Sequence, residues 1–181
     1  MEHLKKSLAL LMMVSFVFAG NVIKADDEEC GNELVGGVIV VKELVGAWVV
    51  NATTLVETGT VETEVHALGN FNFMVDGNYV SFLTPAAPEA APAFATLVEG
   101  LTAGSGVWHD AGHHKYKGTD VRSGSNARVK NEVRIQISKC GNRFTGTINS
   151  TYYPSDALEF KNALPWSPVK WKIEGARVQS K

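Results

Sequence analysis

The sequence predicts an all-β fold: about eight antiparallel strands wound in chain order into an up-and-down β-barrel, interrupted by one long loop with room for a short helix. Three observations point there. Apolar and polar residues alternate at period two over most of 48–177, as half-buried strands require. Tight Gly/Asn turns and longer loops alternate along the chain, so tight turns gather at one end and long loops at the other. Gly46-Ala47-Trp48 opens the first alternating segment and Arg177 lies in the last. Closing a barrel sets those two strands side by side, where the tryptophan and the arginine can stack as a cation–π pair.

The chain has 181 residues, enough for one domain. Residues 1–25 read as a secretory signal peptide: Lys5 and Lys6, an apolar run over 8–19, then Ala25 ahead of Asp26-Asp27-Glu28-Glu29. The run is shorter than the roughly 20 residues a bilayer span needs, so a cleaved leader is preferred to an uncleaved anchor. Cleavage removes three of the 17 Lys+Arg and one of the 19 Asp+Glu, which moves the net charge from −2 to −4. Such a chain has no electrostatic pull on nucleic acid or an anionic membrane. A secreted or periplasmic location is expected. Residues 26–43 read as an acidic segment with a lead-in strand, and residues 44–181 as the barrel domain.

In the first strand Trp48, Val50, Ala52, Thr54 and Val56 share a face. The second places Val61, Thr63, Val65, Ala67, Gly69, Phe71, Phe73 and Val75 together, with Glu62, Glu64 and His66 opposite. Asp76-Gly77-Asn78 is a strong hairpin turn, and the third strand covers 79–83. Residues 84–104 hold three prolines among alanines and read as the long loop, with helical turns within 94–101. A fourth strand over 106–110 turns at Ala111-Gly112 into a fifth over 114–121, and 122–126 reads as a turn. Val129, Val133, Ile135 and Ile137 alternate with charged residues in the sixth. Phe144, Gly146, Ile148 and Tyr152 align in the seventh. After a loop over 154–167, Val169, Trp171, Ile173, Gly175 and Arg177 align in the eighth.

Two cysteines, Cys30 and Cys140, suggest one disulfide in an oxidising compartment, with two free thiols as the alternative. Both fall near the tight-turn end.

Gly46-Ala47-Trp48 with Arg177 on the last strand resembles the lipocalins and the wider calycin group. Gly106-Val107-Trp108, Phe144-Thr145-Gly146-Thr147 and Gly175-Ala176-Arg177, in that order, look more specifically like small secreted bacterial barrel proteins of lipocalin type. The resemblance covers 44–178. It implies an eight-stranded barrel that holds a small apolar molecule.

An eight-stranded barrel is either filled by its own side chains or holds one small ligand. The expected interior, and so the expected ligand-binding surface, is Val50, Thr54, Val56, Val65, Phe71, Phe73, Asn131, Val133, Ile135, Phe144, Ile148, Tyr152, Trp171 and Ile173, with Thr63 a further polar anchor. Gly69, Gly118, Gly146 and Gly175 in strand interiors leave space and favour a hollow interior over a packed one. Phe94 and Leu97 would cover the mouth as a lid. Trp48 and Arg177 close the barrel and are not catalytic. His109, Asp110, His113 and His114 are the one metal-like cluster. Adjacent histidines on a strand point to opposite faces, so a solvated hairpin tip is preferred to a metal site. Asp120 shares a parity with Tyr116 and Gly118, and a rim charge is preferred for it. Asn51 and Asn149 match the glycosylation acceptor pattern and fall on outward faces.

No residues suit a nucleophile–base order, a paired carboxylate site or a phosphate loop, so an isomerase- or cyclase-type enzyme ranks well below a binding module. The expected function is carriage of a small apolar molecule, without a cofactor, by a monomer. A filled structural or interaction barrel is the alternative. A membrane-inserted barrel is disfavoured by the charged strand faces and the absence of paired aromatic girdles.

Overall fold

The computed structural model describes residues 44–58, 61–86, 96, 98, 100–164 and 167–178. Eight strands run in chain order: β1 (Gly46–Thr58), β2 (Val61–Phe73), β3 (Asn78–Ala86), β4 (Gly104–Gly112), β5 (Lys115–Ser123), β6 (Ala127–Ile137), β7 (Arg143–Pro154) and β8 (Val169–Arg177). Each is antiparallel to its neighbour, and β8 returns to β1, with Trp48 opposite Arg177. The period-two alternation becomes an inside and an outside. Along β6, Ala127, Val129, Asn131, Val133, Ile135 and Ile137 are buried, while Glu132, Arg134 and Gln136 are exposed. Along β8, Val169, Trp171, Ile173 and Gly175 are buried between exposed Lys170, Lys172 and Glu174.

The strand bounds depart from the sequence reading in several places; β4, for one, begins at Gly104 and runs through the expected turn to Gly112. β2 stops at Phe73, so Met74 and Val75 lie in the turn, exposed. β3 runs on through Pro85 to Ala86, past the expected start of the loop at 84. Proline survives there because β4 pairs only with Asn78–Ser81, leaving that part of β3 an edge on one side. β5 extends to Ser123, so Arg122 belongs to a strand and not to a turn. The turn itself is narrower: the Gly124 N–H donates to the Ala127 carbonyl at 2.9 Å. Within the long loop Thr96 and Val98 are helical. Residues 155–164 form turns and bends. Their Phe160 ring packs on Tyr153 and under the Arg128 guanidinium, 5.1 Å away in each case.

The tight-turn end is packed shut. Trp48 lies against Phe144 at 5.0 Å, Phe73 stacks on Tyr79 at 5.1 Å, and Trp108 meets Tyr116 edge-on at 5.6 Å. Arg177 seals the seam. Its guanidinium carbon stands 4.4 Å from the Trp48 ring centroid, its Nε donates to the Gly141 carbonyl at 2.8 Å, and one terminal nitrogen donates to the Val45 carbonyl at 2.6 Å. Gly46, at φ +128°, makes room: a Cβ there would lie 3.0 Å from that guanidinium.

Candidate ligand-binding site

Above the aromatic floor lies a buried polar layer built by strand register. Asp120 on β5 stands opposite Asn131 on β6, and Asn131 opposite Ser150 on β7. The three side chains link in a row: the Ser150 hydroxyl donates to Asn131 Oδ1 at 2.7 Å, and Asn131 Nδ2 donates to Asp120 Oδ1 at 2.7 Å. From β3, the Tyr79 and Ser81 hydroxyls donate to Asp120 Oδ2 at 2.9 and 2.8 Å. They reach it across β4 because Gly104 has no side chain; a Cβ there would fall 2.4 Å from Ser81 Oγ and 2.7 Å from Asp120 Oδ1.

Arg122, two residues along β5, shares the inward face. It pairs with Asp120 at 3.8 Å, and its terminal nitrogens donate to Ser81 Oγ at 3.0 Å and, more weakly, to the Leu83 carbonyl at 3.4 Å. Asp120 is 1% exposed and Arg122 5%. Two charges so far from water persist only when paired and hydrogen-bonded. Arg122 Nε is the exception, a buried donor with no acceptor among the described residues.

Burial pushes the Tyr79 phenol far above its ordinary value, and the Asp120 charge and hydrogen bond reinforce the shift against an opposing pull from Arg122. Tyr152 is raised by burial, again opposed by Arg122. Both phenols are therefore neutral donors at physiological pH, and the Tyr79 proton is committed to Asp120.

A cavity of about 30 Å³ opens beside this layer, toward the long-loop end. Arg122, Asn131, Ser150 and Tyr152 form its polar wall. Ala67, Leu83, Val129, Ile148 and Trp171 form its apolar wall, and Val98 and Leu101 from the β3–β4 connection border it. The volume suits one or two waters; pockets for drug-sized ligands measure about 300–1,000 Å³.

Of the residues expected inside, Val50, Thr54, Val65, Phe71, Phe73, Asn131, Val133, Ile135, Phe144, Ile148, Tyr152, Trp171 and Ile173 are buried, while Val56 and Thr63 are half-buried. Only Asn131, Ile148, Tyr152 and Trp171 of that set line the cavity. Phe71, Phe73 and Phe144 belong to the floor, and the Thr54 hydroxyl donates to the Lys170 carbonyl at 2.7 Å.

Two expectations need correction. Asp120 is no rim charge but the centre of the buried layer. The strand glycines do not hollow the interior either, because neighbouring atoms take the space. A Cβ at Gly175 would lie 2.2 Å from the Phe144 ring, one at Gly118 3.1 Å from the Tyr79 ring, and those at Gly69 and Gly146 about 2 Å from backbone carbonyls of Phe82 and Arg134.

His113 and His114 are not on a strand; both hold left-handed turn conformations, at φ 54° and 58°. With His109 and Asp110 they are exposed at the hairpin tip, where the Asp110 carboxylate accepts the Gly112 N–H at 2.7 Å. Among the described residues no group of three or more His, Cys, Asp or Glu could hold a metal ion. Phe94, Leu97 and Cys30 lie outside the described residues; Cys140 is half-buried in the β6–β7 turn.

The sequence reading missed Arg122, Ser81 and Tyr79. The signal was present: Tyr116, Gly118, Asp120 and Arg122 alternate on β5, so extending that strand by two residues turns Arg122 inward.

No protein-family model matches the chain, and no curated protein matches it. Among solved structures it is similar to EF1p2_mFAP2b bound to DFHBI, with a TM-score of 0.53 and 14% sequence identity over 76% of this chain and 95% of that one. At that identity the likeness is one of fold: this chain is an eight-stranded antiparallel closed β-barrel.

Proposed function

We propose that this protein is a secreted or periplasmic binding barrel that takes a small, mostly apolar molecule at its long-loop end. The observation that carries the reading is the mixed lining of the cavity, apolar side chains together with Arg122, Asn131, Ser150 and Tyr152. Burial of apolar surface, at about 25 cal/mol per Å², would drive capture, and the polar wall would orient the guest. The related barrel fold solved with DFHBI bound supports it as a precedent for a guest in such a shape. A guest as large as a benzene ring would displace Val98 and Leu101. No helix of the described residues is long and apolar enough to cross a membrane. The charged faces of β6 and β8 point outward, the reverse of the lipid-facing band of a membrane barrel. Export would rest on the leader at 1–25, and a Cys30–Cys140 bridge would suit an oxidising compartment.

The aromatic floor and the small cavity favour a second reading, a filled barrel with an interaction role. Native mass spectrometry of protein purified from its own host separates the two. A retained small-molecule mass that disappears on mild activation is expected. A bare protein mass, together with no saturable uptake of small apolar fluorophores, would leave the filled barrel.

A further inference from the structure

We infer that the atom this cavity accepts against Arg122 is a neutral carbonyl oxygen, so that the guest is an uncharged, largely apolar ketone, ester or amide and not a carboxylate. The inference rests on the ligand-binding reading above and adds the chemistry of the head group. Arg122 is nine-tenths buried and lines the cavity. Its Nε lies 3.8 Å from Asp120 Oδ1, beyond hydrogen-bond range, and donates to nothing among the described residues. Nε itself has almost no surface open to the cavity; an unsatisfied buried donor is costly, so a guest that brings an acceptor, and toward which the guanidinium turns, gains what a plain hydrocarbon cannot.

Charge then selects the acceptor. Asp120 and Arg122 cancel, and among the described residues no second ionised side chain lines the cavity. A carboxylate guest would set a second negative charge near Asp120 with one guanidinium to serve both, in surroundings that screen poorly. A carbonyl offers lone pairs and adds no charge. The apolar lining of Leu83, Val129, Ile148 and Trp171 receives the apolar body.

Acetophenone, benzoate and ethylbenzene share a ring and a similar size and differ in this one group. Each is titrated into the full chain by NMR while the Arg122 Nε–H resonance, assigned by its loss in Arg122→Lys, is followed. Acetophenone should bind saturably, about tenfold or more tighter than either other compound, and move that resonance. A doubly neutral Asp120→Asn/Arg122→Met variant should bind acetophenone no more tightly than ethylbenzene. Should that variant fail to fold, the three-compound series on the unaltered protein decides.

Benzoate binding as tightly as acetophenone overturns the neutral head group. Ethylbenzene binding as tightly, or an unmoved Nε–H resonance, overturns the anchor. In both cases the ligand-binding reading stands. Binding of none of the three up to their solubility limits overturns this inference, while the ligand-binding reading falls only with a bare native mass and no fluorophore uptake.

Discussion

Asp120 shows how one carboxylate organises a barrel interior. It accepts hydrogen bonds from Tyr79, Ser81 and Asn131 and pairs with Arg122, so four side chains from three other positions in the sheet and its own strand depend on it. Asp120→Ala leaves the Arg122 charge buried and unpaired and is expected to cost about 3–5 kcal/mol, read from urea unfolding. Asp120→Asn combined with Arg122→Met removes both charges and should cost less than the single change. An equal or larger loss would show that the pair is a net stabiliser. Tyr79 and Tyr152 add a pH dependence. Their folded-state pKa values are raised above the ordinary phenol value near 10, so the contribution is fully present below that pH. Above it the unfolded chain loses protons that the folded chain keeps, and stability falls by about 1.4 kcal/mol per pH unit for each tyrosine. Tyr79→Phe should flatten that alkaline slope by one such contribution; an unchanged slope would contradict the assignment. None of this layer was fully legible in the sequence. Asn131 stood out on a clean alternating strand, whereas Arg122 sat beside Ser-Gly-Ser-Asn, whose local turn preference masked two further residues of β5.

Strands were the legible elements, because period two survives wherever one face is buried and the other wet. Their ends were not, since pairing with a neighbour decides them, as Pro85 illustrates. The seams also differ in strength. β6 and β7 register over Ala127–Ile137, eleven pairs, but β3 and β4 over only Asn78–Ser81, four pairs. Native-state hydrogen exchange is expected to show β4 amides facing β3 opening well before those shared by β6 and β7. Uniform protection around the barrel would rule this out. The glycines were misread for a related reason: a missing side chain signals room without saying what fills it. Gly175→Ala tests the answer. A methyl there meets Phe144, and overpacking of about 1–3 kcal/mol should follow in thermal or urea unfolding. A neutral or stabilising effect would mean that the ring has somewhere else to go.

On the scale of the whole molecule, closure depends on a contact between residues far apart in the chain. Arg177 joins the Trp48 ring to carbonyls of Val45 and Gly141, tying β8, β1 and the β6–β7 turn together. Arg177→Ala is expected to lose about 2–4 kcal/mol, the sum of a cation–π contact and charge-assisted hydrogen bonds. Arg177→Lys should recover only part, because a point charge cannot both stack on the ring and span two carbonyls. Full recovery by lysine would reduce the role to charge alone.

The inequality of the seams has a dynamic consequence. With its floor bolted by rings and most staves firmly stitched, this vessel is loosest, among the described residues, at the joint that begins beside Arg122 and Leu83. Exchange between interior and surroundings is then set by how often a short stretch of wall unlatches, a rate that heat, denaturant or a single added cross-link between β3 and β4 would tune without touching the chamber itself.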